Sequence, residues 1–227
     1  MTSRPHLPEL LDVGGAAPEE IHRSLADLRR FNRWLGGRRV LLGMLAEEVR
    51  RSGMKSFSLL DVGAASGDMA AAVVGRFPGA VVVACDLKPL HLPPSRDHKG
   101  AVFPLAAAAE ALPFRNSSFD FVASSLLLHH FRDTDAVRLR ALFGRLARRA
   151  VLINDLERHW FPLLFLRFTE PVLARSYLTR HDAPASIRQA FRPGELRELA
   201  RAACFTDISV RRHLPWFRLS LVARRHA

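Results

Sequence analysis

Five small residues, Gly63-Ala64-Ala65-Ser66-Gly67, lie between an apolar run, Leu59–Val62, and a helical stretch opening at Asp68. Small side chains at a strand-to-helix turn let a ligand approach the backbone, and the helix start offers unpaired N–H groups. Asp86 closes the next apolar run, 23 residues after Gly63. A carboxylate in that place can accept hydrogen bonds from both hydroxyls of a ribose. Further on stand three histidines, His129, His130 and His181. An imidazole titrates near neutral pH, so any of them could take a proton from a hydroxyl. The alternative is that the adjacent pair splits into one packed ring and one solvated ring, and that His181 is a surface loop residue. No residue set has the spacing of a metal site.

The elements that must position these groups follow from periodicity. Residues 18–52 are helical in pattern. Pro18, Glu19 and Glu20 make the first turn, Ile21, Leu25, Leu28 and Leu35 an apolar face, and Gly36–Gly37 a break. A second helix runs from about Val40 to Arg51. From residue 56, short apolar runs alternate with helical stretches, and strands are predicted at 57–62, 80–85, 101–105, 119–124 and 150–154. Nearly continuous apolar runs suit parallel strands buried on both faces. Helices at 68–76 and 133–148 supply crossovers. Two last strands, 205–211 and 217–223, are joined by too short a turn for a parallel crossover and must pair antiparallel. The predicted fold is α/β: a doubly wound, seven-stranded, mostly parallel, Rossmann-like sheet with an antiparallel C-terminal pair and a helical cap.

A dinucleotide fingerprint counted from Gly63 would need glycine at 65 and 68, where Ala65 and Asp68 stand. The pattern Asp61-Val62-Gly63-Ala64-Ala65-Ser66-Gly67-Asp68 instead resembles the first motif of class I S-adenosylmethionine-dependent methyltransferases. Glu110-Ala111-Leu112-Pro113-Phe114, Ser118-Phe119-Asp120-Phe121-Val122 and Leu126-Leu127-Leu128-His129-His130-Phe131 follow in the family's order. The resemblance, to methyltransferases of type 11 and the small-molecule enzymes of quinone biosynthesis, covers roughly residues 56–155 and 195–224. It implies S-adenosyl-L-methionine as cofactor. Asp61, Gly63, Ala65, Gly67 and Asp68 would surround its methionine part, Asp86 would accept the ribose, and Leu87 would pack on the adenine. Ser124 and Ser125 would form the wall beside the methyl group. Ala108 departs from the family, many of whose members place an aspartate there for the adenine amino group. Glu110 or the Ala109 backbone would take that role. A histidine pair like His129–His130 occurs in many relatives whatever their acceptor.

Two segments fall outside the cofactor core. Residues 1–55 form an N-terminal helical cap to a domain spanning 56–227, and residues 156–192 insert a second cap segment. The latter holds Trp160, Phe161, Leu163, Leu164, Phe165, Leu166, Phe168, Tyr177 and Leu178. Following strand five, it emerges at the carboxyl edge of the sheet, above the cofactor. Aromatics there suit a small, apolar acceptor such as a phenol, a quinol or a polyketide-derived phenol, methylated on oxygen or carbon, as well as simple packing of the cap.

The 227 residues carry 34 basic and 22 acidic groups, a net charge of +12. All but Lys55, Lys88 and Lys99 of the basic residues are arginines, spread in pairs along the chain as in a GC-rich bacterial genome. That reads as a solvated basic surface rather than a nucleic-acid footprint. An RNA methyltransferase and a non-catalytic cofactor-binding scaffold are the competing readings. The first lacks an Asn/Asp-Pro-Pro-aromatic motif at Ser124–Leu127, and the second has only Ala108 in its favour. The absence of an apolar run long enough for a signal or a membrane span leads to a cytoplasmic expectation. Cys85 and Cys204 read as buried thiols. Monomer and homodimer are both compatible with the sequence.

Overall fold

A computed structural model describes residues 4–92, 101–202, 205 and 207–225. A seven-stranded sheet of order β3-β2-β1-β4-β5-β7-β6 forms its centre. The parallel strands are β1 (Phe57–Val62), β2 (Ala80–Asp86), β3 (Val102–Ala106), β4 (Phe119–Ser125) and β5 (Ala147–Leu156). β7 (Arg218–Arg224) runs antiparallel to both β5 and β6 (Asp207–His213). The fold class is the one predicted. β5 starts earlier than its apolar run, because Ala147 already pairs with Phe119 while Arg148 and Arg149 face solvent. β6 starts later, since Phe205 packs where a Cβ on Gly144 would be. Cys204 lies outside the described residues.

Successive strand residues alternate between two helical layers, as a pleated sheet requires. Leu60, Val62 and Val122 pack with Leu139 and Phe143 of α5 (Asp133–Leu146) and Leu196 of α8 (Pro193–Ala202). Leu59 and Phe121 pack with Leu41 and Leu45 of α3 (Gly37–Ser52) and Met69 and Val73 of α4 (Asp68–Arg76).

Within residues 1–55, α3 packs against the sheet as one of its helical layers, and the Gly36–Gly37 break separates it from α1 (Leu10–Val13) and α2 (Pro18–Trp34). These two join α6 (Trp160–Leu173) and α7 (Tyr177–Gln189) from the inserted segment. Ile21 and Leu25 meet Leu178, and Phe31 meets Leu166 and Ile187. The sheet order reverses between β1 and β4, and the cap sits over the carboxyl ends of these strands, the crevice where open α/β sheets bind ligands.

Candidate active site

β1, β2 and the start of α4 deliver three carboxylates to this crevice. Asp61 is 1% exposed and its Oδ2 has no hydrogen-bond partner. Burial, reinforced by the charges of Asp68 and Asp86, pushes its pKa up to about 7. Burial also raises Asp68 at the start of α4, against Arg38 Nε at 3.7 Å and Asn32 Nδ2 at 3.5 Å. Asp86 goes the other way. Burial would raise it, but His91 at 3.2 Å and the Lys88 and Ala65 N–H groups at 3.1 and 2.9 Å hold it low.

The glycine-rich turn is shaped by left-handed backbone. Gly63 has φ 73°, and a Cβ there would come within 3.0 Å of Leu127. Gly67, at φ 68°, precedes α4. Ala65 also has φ 46°, where a glycine would be unstrained. The conformation aims its N–H at Asp86 Oδ2 and ties the turn to β2.

One cavity of about 810 Å³ opens above these groups. Asp61, Gly63, Ala65, Asp68, Asp86, Leu87, Ala109, Glu110 and Ser125 line it, as does Ala108. Gly67 and Ser124 do not. Gly67 shapes the turn from behind, and Ser124 is buried one residue short of the strand tip. Cys85 also lines the cavity, its thiol pushed up to about 11 by burial and by Asp86.

The histidines separate into two places. His129 and His130 stack at a centroid distance of 4.3 Å in the cavity wall. His129 Nδ1 lies 2.6 Å from Asp155 Oδ1 at the end of β5. Burial opposes its charge, but Asp155 and Glu9 outweigh it and hold the pKa at about 10. The two carboxylates thus favour the charged form of His129. His130 Nδ1 lies 2.7 Å from Asp12 Oδ2. His181 is half exposed on α7, bound to Asp182 at 2.8 Å, and does not line the cavity. It is a helix residue, not a loop one.

Sequence reasoning missed several lining residues. Glu9 and Asp12, at the two ends of the first turn of α1, reach His129 and His130. The α1 segment is held by Asp182, which accepts the N–H groups of Leu10 and Leu11 at 2.8 and 2.9 Å. Arg218 is 1% exposed and lines the cavity beside Leu35, whose carbonyl accepts from its Nε at 3.1 Å. Burial pulls its pKa down to about 10, while Asp155 and Asp68 oppose the loss of charge. The far wall is apolar, with Phe31, Trp34, Leu35, Phe161, Phe165 and Leu166 from α2 and α6.

A sheet of this order, with its antiparallel β5-β7-β6 edge and its crevice at the β1–β4 reversal, is the fold of class I methyltransferases. Residues 60–150 match the family model described as a methyltransferase domain. Among solved structures, the chain resembles magnesium protoporphyrin IX methyltransferase from Synechocystis with bound S-adenosylhomocysteine. The identity is 13%, coverage is 84% of each chain and the TM-score is 0.57. A methyltransferase from Methanosarcina mazei aligns at 15% identity over 78% of this chain and 96% of that one, TM-score 0.56. Human N-acetylserotonin methyltransferase aligns at 16% identity over 96% of this chain and 62% of that one, TM-score 0.56. No curated protein matches the chain.

Residues 60–150 of the chain carry a methyltransferase domain, on the fold of S-adenosylmethionine-dependent methyltransferases. Its residues fit the cofactor. Three carboxylates, one with an unpartnered buried oxygen, suit a ligand carrying a sulfonium and an ammonium, and a side chain at Gly63 would fill the cradle. The same carboxylates would repel the pyrophosphate of a dinucleotide. Among the described residues no helix is long and apolar enough to cross a membrane.

Proposed function

We propose that the enzyme methylates a small, largely apolar acceptor bearing a hydroxyl or an activated ring carbon, of the phenol, quinol or polyketide-derived class. The observation that carries this reading is the single cavity that runs from the carboxylates of β1 and β2 to the aromatic wall of α2 and α6. A flat aromatic ring laid against Phe31, Phe161 and Phe165 would be desolvated and directed at the strand tips.

The cofactor supplies a methyl group already activated on a positive sulfur. What remains for the protein is to position, exclude water and handle a proton. Asp61, Gly63, Ala65, Asp68, Asp86, Leu87, Ala109, Glu110 and Ser125 would hold the cofactor, and the α1–α2 and α6–α7 cap would close over the acceptor. Any hydroxyl proton would be handled at the cluster of Glu9, His129 and His130. His181 has no part in this proposal.

A small acceptor is also supported by the state of the arginines. Arg4, Arg30, Arg38, Arg158, Arg211, Arg212 and Arg224 are each paired with a carboxylate of the fold, so these seven are engaged within the protein rather than free for phosphate.

The test is methyl incorporation from labelled cofactor into a panel of phenols, quinols and hydroxylated polyketides, with transfer RNA and ribosomal RNA beside them. Label in one apolar class alone is expected. Label in RNA would overturn the reading, and tight cofactor binding with no label anywhere would favour a scaffold.

A further inference from the structure

The Glu9, His129 and His130 cluster has more organisation than proton transfer requires. His129 Nε2 lies 3.7 Å from Glu9 Oε1, and His130 Nε2 lies 3.8 Å from Glu9 Oε2. These are too long for hydrogen bonds. They are close to the roughly 3.4 Å edge of a tetrahedron whose legs are about 2.1 Å, the metal–nitrogen and metal–oxygen length of zinc sites. The three ligand atoms all lie within 4.8 Å of one another.

Each of the three groups is also oriented from behind. Asp155 holds the far nitrogen of His129 at 2.6 Å, and Asp12 holds that of His130 at 2.7 Å. Gln189 Nε2 and Ser186 Oγ donate to Glu9 Oε1 at 2.6 and 2.7 Å. Carboxylates behind metal-binding imidazoles fix the tautomer and raise ligand basicity, and oriented carboxylate ligands complete the pattern. All three ligand residues line the cavity, so a fourth position faces the acceptor.

We propose that Glu9, His129 and His130 form a binding site for a divalent transition-metal ion, with two imidazoles, one carboxylate and an open position toward the acceptor cavity. Two nitrogens and one oxygen favour Zn²⁺ or Co²⁺ over Mg²⁺ or Ca²⁺. The site does not depend on the identity of the acceptor.

The experiment uses the full chain, stripped with chelator and titrated with Co²⁺ without cofactor or acceptor. One equivalent of Co²⁺ is expected, with visible absorption typical of four or five ligands, displaced by Zn²⁺ and not by Mg²⁺. Glu9→Gln should weaken Zn²⁺ at least a hundredfold, and Asp155→Asn 10- to 100-fold. His181→Ala should bind as the unaltered chain does. If Glu9→Gln fails to fold, His130→Asn, on a partly exposed side chain, carries the same test. No stoichiometric binding, or equal affinity in the cluster variants, would overturn the site and leave the cluster as an ion-pair strap on α1. Because the readout is binding alone, an enzyme idle on every acceptor would not count against it.

Discussion

At the cofactor end of the cavity the lining residues hang from strand tips and the turns that leave them: Asp61 and Gly63 after β1, Asp86 after β2, Ser125 after β4. At the acceptor end they come from segments far apart in sequence. These are α1, α2, α6 and the β6–β7 turn, with Glu9 and Trp216 in one wall system. The first end is positioned by a sheet whose register leaves little freedom. The second is positioned by helices that pack on one another, and α6 leaves Trp160, Phe168 and Val172 more than 60% exposed. In the proposed function, cofactor chemistry, the same for every acceptor, would sit on the sheet-borne half, and the choice of acceptor would fall to the half that side chains alone can reshape.

If that division holds, a change at the rigid end should act on cofactor affinity and a change at the cap end on turnover. The largest effect is expected from Gly63→Val. The new side chain must fit a left-handed φ and displace Leu127, so cofactor binding should be abolished in a calorimetric titration while the fold survives by circular dichroism. Normal affinity would mean that the turn does not hold the cofactor. His130→Ala is the opposite case. Turnover should fall roughly a hundredfold or more at unchanged cofactor affinity. Loss of affinity instead would erase the distinction between the two ends, and full turnover would remove the cluster from proton handling.

The same division explains what could be read from the sequence. Strand tips follow from apolar runs, and the turn from small residues at 63–67, so the fold class and most candidate residues of the crevice were legible. Ser124 and Ser125 were named together because a run of residues does not say which one turns the corner, and Ser125 is the one that lines the cavity. Glu9, Asp12 and Arg218 were out of reach. Their roles depend on how α1 docks on α7 through Asp182 and on β7 lying beside β5, and neither pairing leaves a periodic signal. The histidine pair was visible as a motif, but the carboxylate that favours the charged form of His129 is 26 residues away.

A smaller effect should show in pH dependence. Asp61 is protonated below about pH 7 in the free protein, because burial and the charges of Asp68 and Asp86 all oppose its ionisation. A cationic ligand favours the ionised form, so cofactor affinity should rise as pH rises through about 7, and Asp61→Asn should bind more weakly with the rise removed. The sign for stability is reversed. A carboxyl whose folded pKa is raised binds more protons folded than unfolded, so the free protein loses stability from about pH 4 to 7. A cofactor affinity flat between pH 6 and 8 would place Asp61 outside the ligand's reach.

The smallest effect tests whether the rigid end is as strained as its φ angles imply. Ala65 at φ 46° carries about 1–2 kcal/mol of left-handed strain. Glycine would release it at an entropic cost of about 0.5–1 kcal/mol. Ala65→Gly should therefore be neutral to about 1 kcal/mol more stable in urea, because the N–H that Asp86 accepts is kept. Glycine adds no bulk at the cavity wall, so cofactor affinity should not fall. A loss of stability or affinity would mean that the Ala65 methyl is itself packed into the site, and that the turn has been rebuilt around alanine rather than merely tolerating it.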